Sequence, residues 1–183
     1  MFIASGMLHT YPVLLVPTMP QTPPLARPMP PTSSAAHPLL TKVEGLARAS
    51  GAFGTVAVKD GRLVCHAKAA AAPASYRLFL ESGKVWISLV MADRWLSESI
   101  ETDLLHTGDK MEDLLAEELA EQEFPSGHNL HIEHFRSDDL LFTFRSPLPL
   151  NPADPAAADA ATRYLLAYEA CFRNLGDMEE SEE

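Results

Sequence analysis

His128, His131 and His134 recur at steps of three, with Glu133 among them, and form the densest group of potential metal ligands in the chain. On a helix they would share a face and could hold zinc, which takes imidazole and carboxylate ligands and activates a bound water. A small metal-dependent hydrolase using His128, His131 and Glu133 is the chemistry such a pattern suggests. The surrounding residues read as a strand, however, and there His131 and His134 project to opposite faces. One strand cannot aim all three imidazoles at one ion, so these histidines are expected at the surface or half-buried, with no metal ligand assigned.

Carboxylates are the second candidate. Ten of the twenty-five acidic residues lie between Glu98 and Glu123, beside a single lysine, Lys110. A pair of them could serve acid–base catalysis if burial raised one pKa. Their helical spacing instead puts most on a polar side, with Glu117, Glu118 and Glu121 opposite the apolar residues, and no calcium loop of the EF-hand type is present. A solvated face, or a docking surface for a basic partner, is expected.

Other chemistries lack their motifs. There is no GxxxxGK[ST] or GxGxxG loop to cradle phosphate and no GxSxG elbow. Cys65 and His66 are adjacent on a strand and so point apart. Trp86 and Trp95 are expected as core or core-edge aromatics. Cys65 and Cys171 lack CxxC spacing and are expected as two buried, reduced thiols, which suits a reducing, cytoplasmic setting. No catalytic residue and no cofactor is assigned.

Composition narrows the partners. A formal net charge of -11 leaves no excess of Lys and Arg to neutralise phosphates or anionic lipid, so neither nucleic acid nor a membrane surface is expected. The apolar run Val13 to Val16 is bracketed by Pro12 and Pro17, and no Lys or Arg precedes Arg27. It reads as neither a signal peptide nor a membrane anchor.

The elements that must position any site begin after the prolines. Nine of fifteen prolines fall between Pro12 and Pro38, and each restricts itself and the residue before it to extended backbone. Residues 1–38 are therefore expected as a disordered spacer or tether, and on the latter reading the chain is a tethered subunit of a larger assembly. Leu39, Leu40, Val43, Leu46 and Ala47 have helical spacing, which Ser50-Gly51 closes. Phe53 to Val58 and Leu63 to Ala67 flank Asp60-Gly61, a hairpin signal. Tyr76 to Leu80 and Val85 to Met91 flank Ser82-Gly83, and the second of these arms is apolar enough to lie buried on both faces or mid-sheet.

Trp95, Leu96, Ile100, Leu104 and Leu105 form a helical stripe ending at Thr107-Gly108. Asp109 with Glu112 has capping-box spacing for a further helix carrying Met111, Leu114, Leu115 and Leu119. A third hairpin runs from Leu130 to Phe135 and returns from Leu140 to Phe144. Pro147, Pro149, Pro152 and Pro155 then make a stiff crossover to a last helix from Ala156 to Leu175. The expected organisation is one α+β domain over residues 39–176, an antiparallel sheet of hairpins with flanking helices in the order α-ββ-ββ-αα-ββ-α. An acidic tail follows over residues 177–183.

This order resembles the type III secretion chaperone-like fold, shared by the secretion chaperones and the bacterial YbjN-like family. The residues carrying the likeness are Val58-Lys59-Asp60-Gly61-Arg62-Leu63, Met111-Glu112-Asp113-Leu114-Leu115, and the stretch from Leu140 to Leu150 with its Leu148-Pro149-Leu150 phrase. The resemblance implies a small homodimeric protein without catalysis that binds a segment of a partner or client protein along hydrophobic patches. It carries no site residues with it.

Overall fold

The computed structural model describes residues 37–124 and 130–178, so the expectations for the proline-rich segment through residue 36, for His128 and for the last five residues lie outside the described residues. Helix α1 (Pro38–Ser50) starts on a proline, whose missing N–H is one the first turn leaves unpaired anyway. His37 stands ahead of it in extended backbone, and its Nδ1 accepts from the Leu39 N–H at 3.3 Å. Two residues that the proline pattern assigned to the tail therefore belong to the helix and its cap. Leu39, Leu40, Val43 and Ala47 are buried, while Leu46 turns outward.

Strands β1 (Val56–Lys59) and β2 (Arg62–His66) meet at Asp60-Gly61, both at positive φ (50° and 72°), as that dipeptide predicts. Strands β3 (Ala74–Glu81) and β4 (Lys84–Met91) meet in the same way at Ser82-Gly83 (51° and 76°). Helix α2 (Arg94–Thr107) is capped by Asp93, whose carboxylate accepts from the Leu96 N–H at 2.9 Å, and it closes at Gly108 with φ 79°. The expected Asp109 cap of helix α3 (Met111–Glu121) does not form: Lys110 holds the cap position without a side-chain bond. Asp109 stands one residue too early, and its own N–H is taken by Thr107 Oγ1 at 3.3 Å.

Strand β5 (Glu133–Arg136) and strand β6 (Phe142–Leu148) form the third hairpin, and helix α4 (Ala157–Arg173) leads into a 3₁₀ turn, Gly176–Met178. Strand β6 runs on through Pro147, where a crossover was expected. Pairing with β5 ends at Arg145, so the proline removes no N–H that a neighbouring strand needs on that side. Met178 is 1 % exposed, so the packed unit continues past Gly176 into the residues expected as tail.

The six strands form one antiparallel sheet in the order β1-β2-β3-β4-β6-β5. The fold is α+β with the expected element order. β4 lies inside the sheet, flanked by β3 and β6, which accounts for its apolar run. Val85, Ile87 and Leu89 on it, together with Leu63, Cys65, Tyr76, Leu78, Phe144 and Leu148, face the helices and make the core with α1 and α4.

Candidate functional site

Strand alternation sends every second side chain to the face that the helices leave open. Cross-strand pairing sets them in rows. One row is Arg62, Phe79, Trp86 and Pro147. The next is Val64, Arg77, Ser88, Arg145 and Glu133, and a third includes Val90, Thr143 and Phe135. Phe79, Trp86 and Phe135 are half-buried without any helix over them, because arginines lie on their rings. The Arg145 guanidinium sits 4.6 Å from the Trp86 ring centre and 4.9 Å from that of Phe135, and Arg62 sits 5.3 Å from Phe79. Ser88, only 2 % exposed, lies beneath this layer. The face is a shallow concavity of about 370 Å³, rimmed on one side by Asp138, Asp139 and Leu141 of the β5–β6 turn.

Its electrostatics differ from those of the whole chain. Lys59, Arg62, Arg77, Lys84 and Arg145 share this face with the carboxylates Glu81 and Glu133, in a chain of net charge -11. Arg145 is well supplied: its Nε donates to Glu133 at 2.7 Å, and Glu81 lies 4.0 Å from Nη1. Arg77 is not. Its Nε is buried and has no acceptor among the described residues. Burial, reinforced by the neighbouring Arg62, holds its pKa below the ordinary guanidinium value, against a smaller opposing pull from Asp139.

Sequence reasoning set these arginines on hairpins and gave them no role. The signal was there in parity. Ser82-Gly83 fixes the register that puts Arg77, Phe79 and Trp86 on one face, and Arg62 joins them through the β2–β3 pairing, which neither turn sets.

The residues that the sequence did single out are scattered. His131 precedes the strand rather than lying on it, is largely exposed, and comes no nearer to Glu112 than 3.9 Å. Glu133 points to the open face and is bound to Arg145, while His134 points to the helices and stacks on Phe144, with ring centres 3.9 Å apart and planes 4° apart. Among the described residues no three His, Cys, Asp or Glu side chains are grouped to hold a metal ion.

His134 does enter one chemically suggestive arrangement. Its Nε2 is 3.2 Å from Ser97 Oγ and its Nδ1 3.6 Å from Glu101, the outline of a nucleophile, base and orienting acid. Ser97, however, is 0 % exposed, and its hydroxyl also lies 3.4 Å from Glu101. A substrate carbonyl has no approach to it. The cluster instead pins β5 to α2.

Burial lowers the pKa of His134, outweighing the opposite effect of Glu101. The unfolded imidazole keeps its ordinary value of about 6.5. Stability from this site is therefore full above about pH 6.5 and is lost as the pH falls through the lower folded-state pKa. A His134→Asn variant is expected to show a flatter dependence of urea midpoint on pH below about 6.5 than the parent. Parallel curves would refute the assignment.

The acidic helices are only partly solvated: Asp113, Glu117 and Glu121 are exposed, while Glu98, Glu101, Asp103, Glu112 and Glu118 are half-buried, and the pKa of Glu118 is raised by burial and then by Glu121. On α2 two apolar residues reverse expectation. Trp95 is 76 % exposed and Leu105 84 % exposed, because only Leu96 and Ile100 of the stripe are buried in the core, with Leu104 packed at its edge. Trp86 is half-buried on the open face. Cys65 and Cys171 are buried and unpaired, as expected, and burial pushes each thiol up to about 12, well away from nucleophilic use. No described helix is long and apolar enough to cross a membrane. Comparisons with protein-family models, curated proteins and solved structures found no significant match.

Proposed function

We propose that the chain is a non-enzymatic protein-binding module, chaperone-like in kind, which receives a segment of another protein on the open face of its sheet. The observation that carries this reading is the set of half-buried aromatics, Phe79, Trp86 and Phe135, on a face that none of the described helices covers. Monomeric soluble proteins seldom leave such a concave aromatic and arginine surface without a partner, and both residue types are enriched where binding energy concentrates. The resemblance in element order to the secretion chaperone-like fold points to the same class. Two unpaired buried thiols accord with a cytoplasmic setting.

The test is photocrosslinking in the native host with benzoylphenylalanine at Phe79, compared with the same group at Lys42 on α1. A discrete adduct from Phe79 alone, reconstituted with the purified partner at one-to-one stoichiometry, is the expected result. Adducts no stronger from Phe79 than from Lys42 would overturn the reading.

A homodimer is the second part of the proposal, supported by Trp95 and Leu105. They lie ten residues apart on α2, about 80° apart around its axis, and both are turned away from the core. An isologous pairing of two α2 helices would cover both residues twice. Light scattering is expected to give a mass near twice 20.0 kDa. The double change Trp95→Glu and Leu105→Glu is expected to halve it while leaving the circular dichroism unchanged. A monomeric parent removes this part and leaves the open-face reading intact.

A further inference from the structure

We propose that Arg77 is the receptor for a carboxylate side chain in an acidic, extended peptide segment lying across the open face. This rests on the protein-binding reading above and specifies the chemistry of the segment. Arg77 and Arg145 stand on either side of Ser88 in the row that crosses β2, β3, β4, β6 and β5. Of the two guanidiniums, only that of Arg145 is engaged by a carboxylate, Glu133 at 2.7 Å. The Nε–H of Arg77 is buried and lacks an acceptor among the described residues, at the edge of a concavity of about 370 Å³. Arg77 as a whole is half-buried and lines that concavity, so a carboxylate would reach its outer nitrogens rather than the sealed Nε.

The charge of the surface supports the same occupant. Five cations, Lys59, Arg62, Arg77, Lys84 and Arg145, outnumber four carboxylates, Glu81 and Glu133 on the strands and Asp138 and Asp139 on the rim. An anion is therefore favoured here although the chain as a whole repels one. Size then separates a peptide from a small acid. Five strands about 4.8 Å apart span roughly 19 Å, the reach of about six extended residues. Aromatic rings on either side of the arginines suit alternate apolar side chains, so the segment alternates acidic and apolar residues. Nucleic acid carries a charge on every nucleotide, and the small excess of cations on a face that also bears Asp138 and Asp139 would not neutralise it, whereas an alternating peptide carries a charge on every second residue.

Titration of the full chain with an acetylated hexapeptide alternating glutamate and valine tests the assignment. Proton–nitrogen spectra of the arginine side chains provide the readout. The Nε–H signal of Arg77 is expected to shift saturably, while that of Arg48, on α1, stays in place. Arg77→Met is expected to weaken binding about ten- to hundredfold, the worth of a charge-assisted hydrogen bond, without lowering the melting temperature. Should that variant fold poorly, Arg77→Lys keeps the charge, removes the planar fork, and is expected to bind at an intermediate level.

Equal binding of the glutamine–valine analogue would overturn the carboxylate receptor and leave the open-face reading standing. Binding of the glutamate peptide without a shift at Arg77 would do the same. Preferential binding of a short oligothymidylate on this face would overturn both.

Discussion

Replacing Gly176 with alanine is expected to destabilise the domain by about 2–4 kcal/mol, combining the strain of a left-handed backbone with that of overpacking. Gly176 has φ 53°, and a Cβ there would lie 2.6 Å from the Ile100 nitrogen and the Ser99 carbonyl carbon. Those atoms are the backbone of α2 and cannot rotate away. The close approach is what lets the end of the chain dock. The Gly176 N–H donates to Asp103 Oδ2 at 3.2 Å, the Asp177 N–H donates to Ser99 Oγ at 3.0 Å, and the Asp177 carbonyl accepts from the Ala71 N–H at 2.9 Å. Met178 is buried behind them.

Pushing this turn outward would release those bonds and expose Met178 together. Gly108→Ala supplies the control. That glycine also has positive φ (79°) but nothing within 4 Å of its virtual Cβ, so it isolates the backbone component of about 1 kcal/mol. Urea denaturation of the two variants should differ by at least about 1 kcal/mol, the lower end of the overpacking range. Equal losses would mean that the α2 contact gives way without strain.

That dock also marks where sequence reasoning runs out. Gly176 reads as a helix terminator, but α4 already ends at Arg173 with Asn174 as its cap and Gly176 opens the 3₁₀ turn, and nothing in a single sequence says that its missing side chain is needed 76 residues earlier, at Ile100. Local chemistry was legible wherever the constraint is local. Asp60-Gly61 and Ser82-Gly83 adopt the positive φ pairs that their types invite, and the hairpins they close establish four strands of the sheet. Non-local placement was not legible. β6 inserts against β4 and pushes β5 to the edge, and this alone brings Arg145 into line with Arg77.

Apolar pattern misled at one element and fell short at another. Trp95 and Leu105 fit a helical stripe yet face outward, because α2 rests on the sheet by a narrow seam of Leu96 and Ile100. The run from Val85 to Met91 is buried and mid-sheet as its pattern says, but burial alone does not reveal that Trp86, Ser88 and Val90 point to the open face. The histidines drew attention through spacing, while the arginines that compose the candidate surface repeat at no fixed interval. Only their common strand parity joins them.

Phe144→Ala is expected to remove about 3–5 kcal/mol, the range for truncating a buried phenylalanine. Phe144 is 2 % exposed and stands where three elements meet. It pairs with Leu89 across the ladder, packs on Phe172 of α4 at 5.2 Å between ring centres, and carries the His134 ring of β5 in a flat stack. The other anchors of β5 are its four ladder pairs to β6, side-chain contacts with that same strand (Glu133 and Phe135 with Arg145, Arg136 with Phe142), and the contacts of His134 with Ser97 and Glu101 on α2. Truncation should thus loosen the β5 edge before the rest. Hydrogen exchange at Glu133–Arg136 is expected to accelerate more than exchange in β2 or β3.

A second consequence follows from the stack. With one face of its ring uncovered, His134 regains water, and its pKa should rise toward the ordinary value of about 6.5. The variant would then lose less stability than the parent on acidification from about pH 7.5 to about pH 5.5, although it is less stable at both. Phe144→Leu keeps most of the volume and removes the flat stack, so it should separate the two effects, giving a modest loss in stability with a similar change in pH dependence. A loss in Phe144→Ala below about 1 kcal/mol would show that the site collapses freely. A pH dependence identical to the parent's would show that Phe144 does not set the burial of His134.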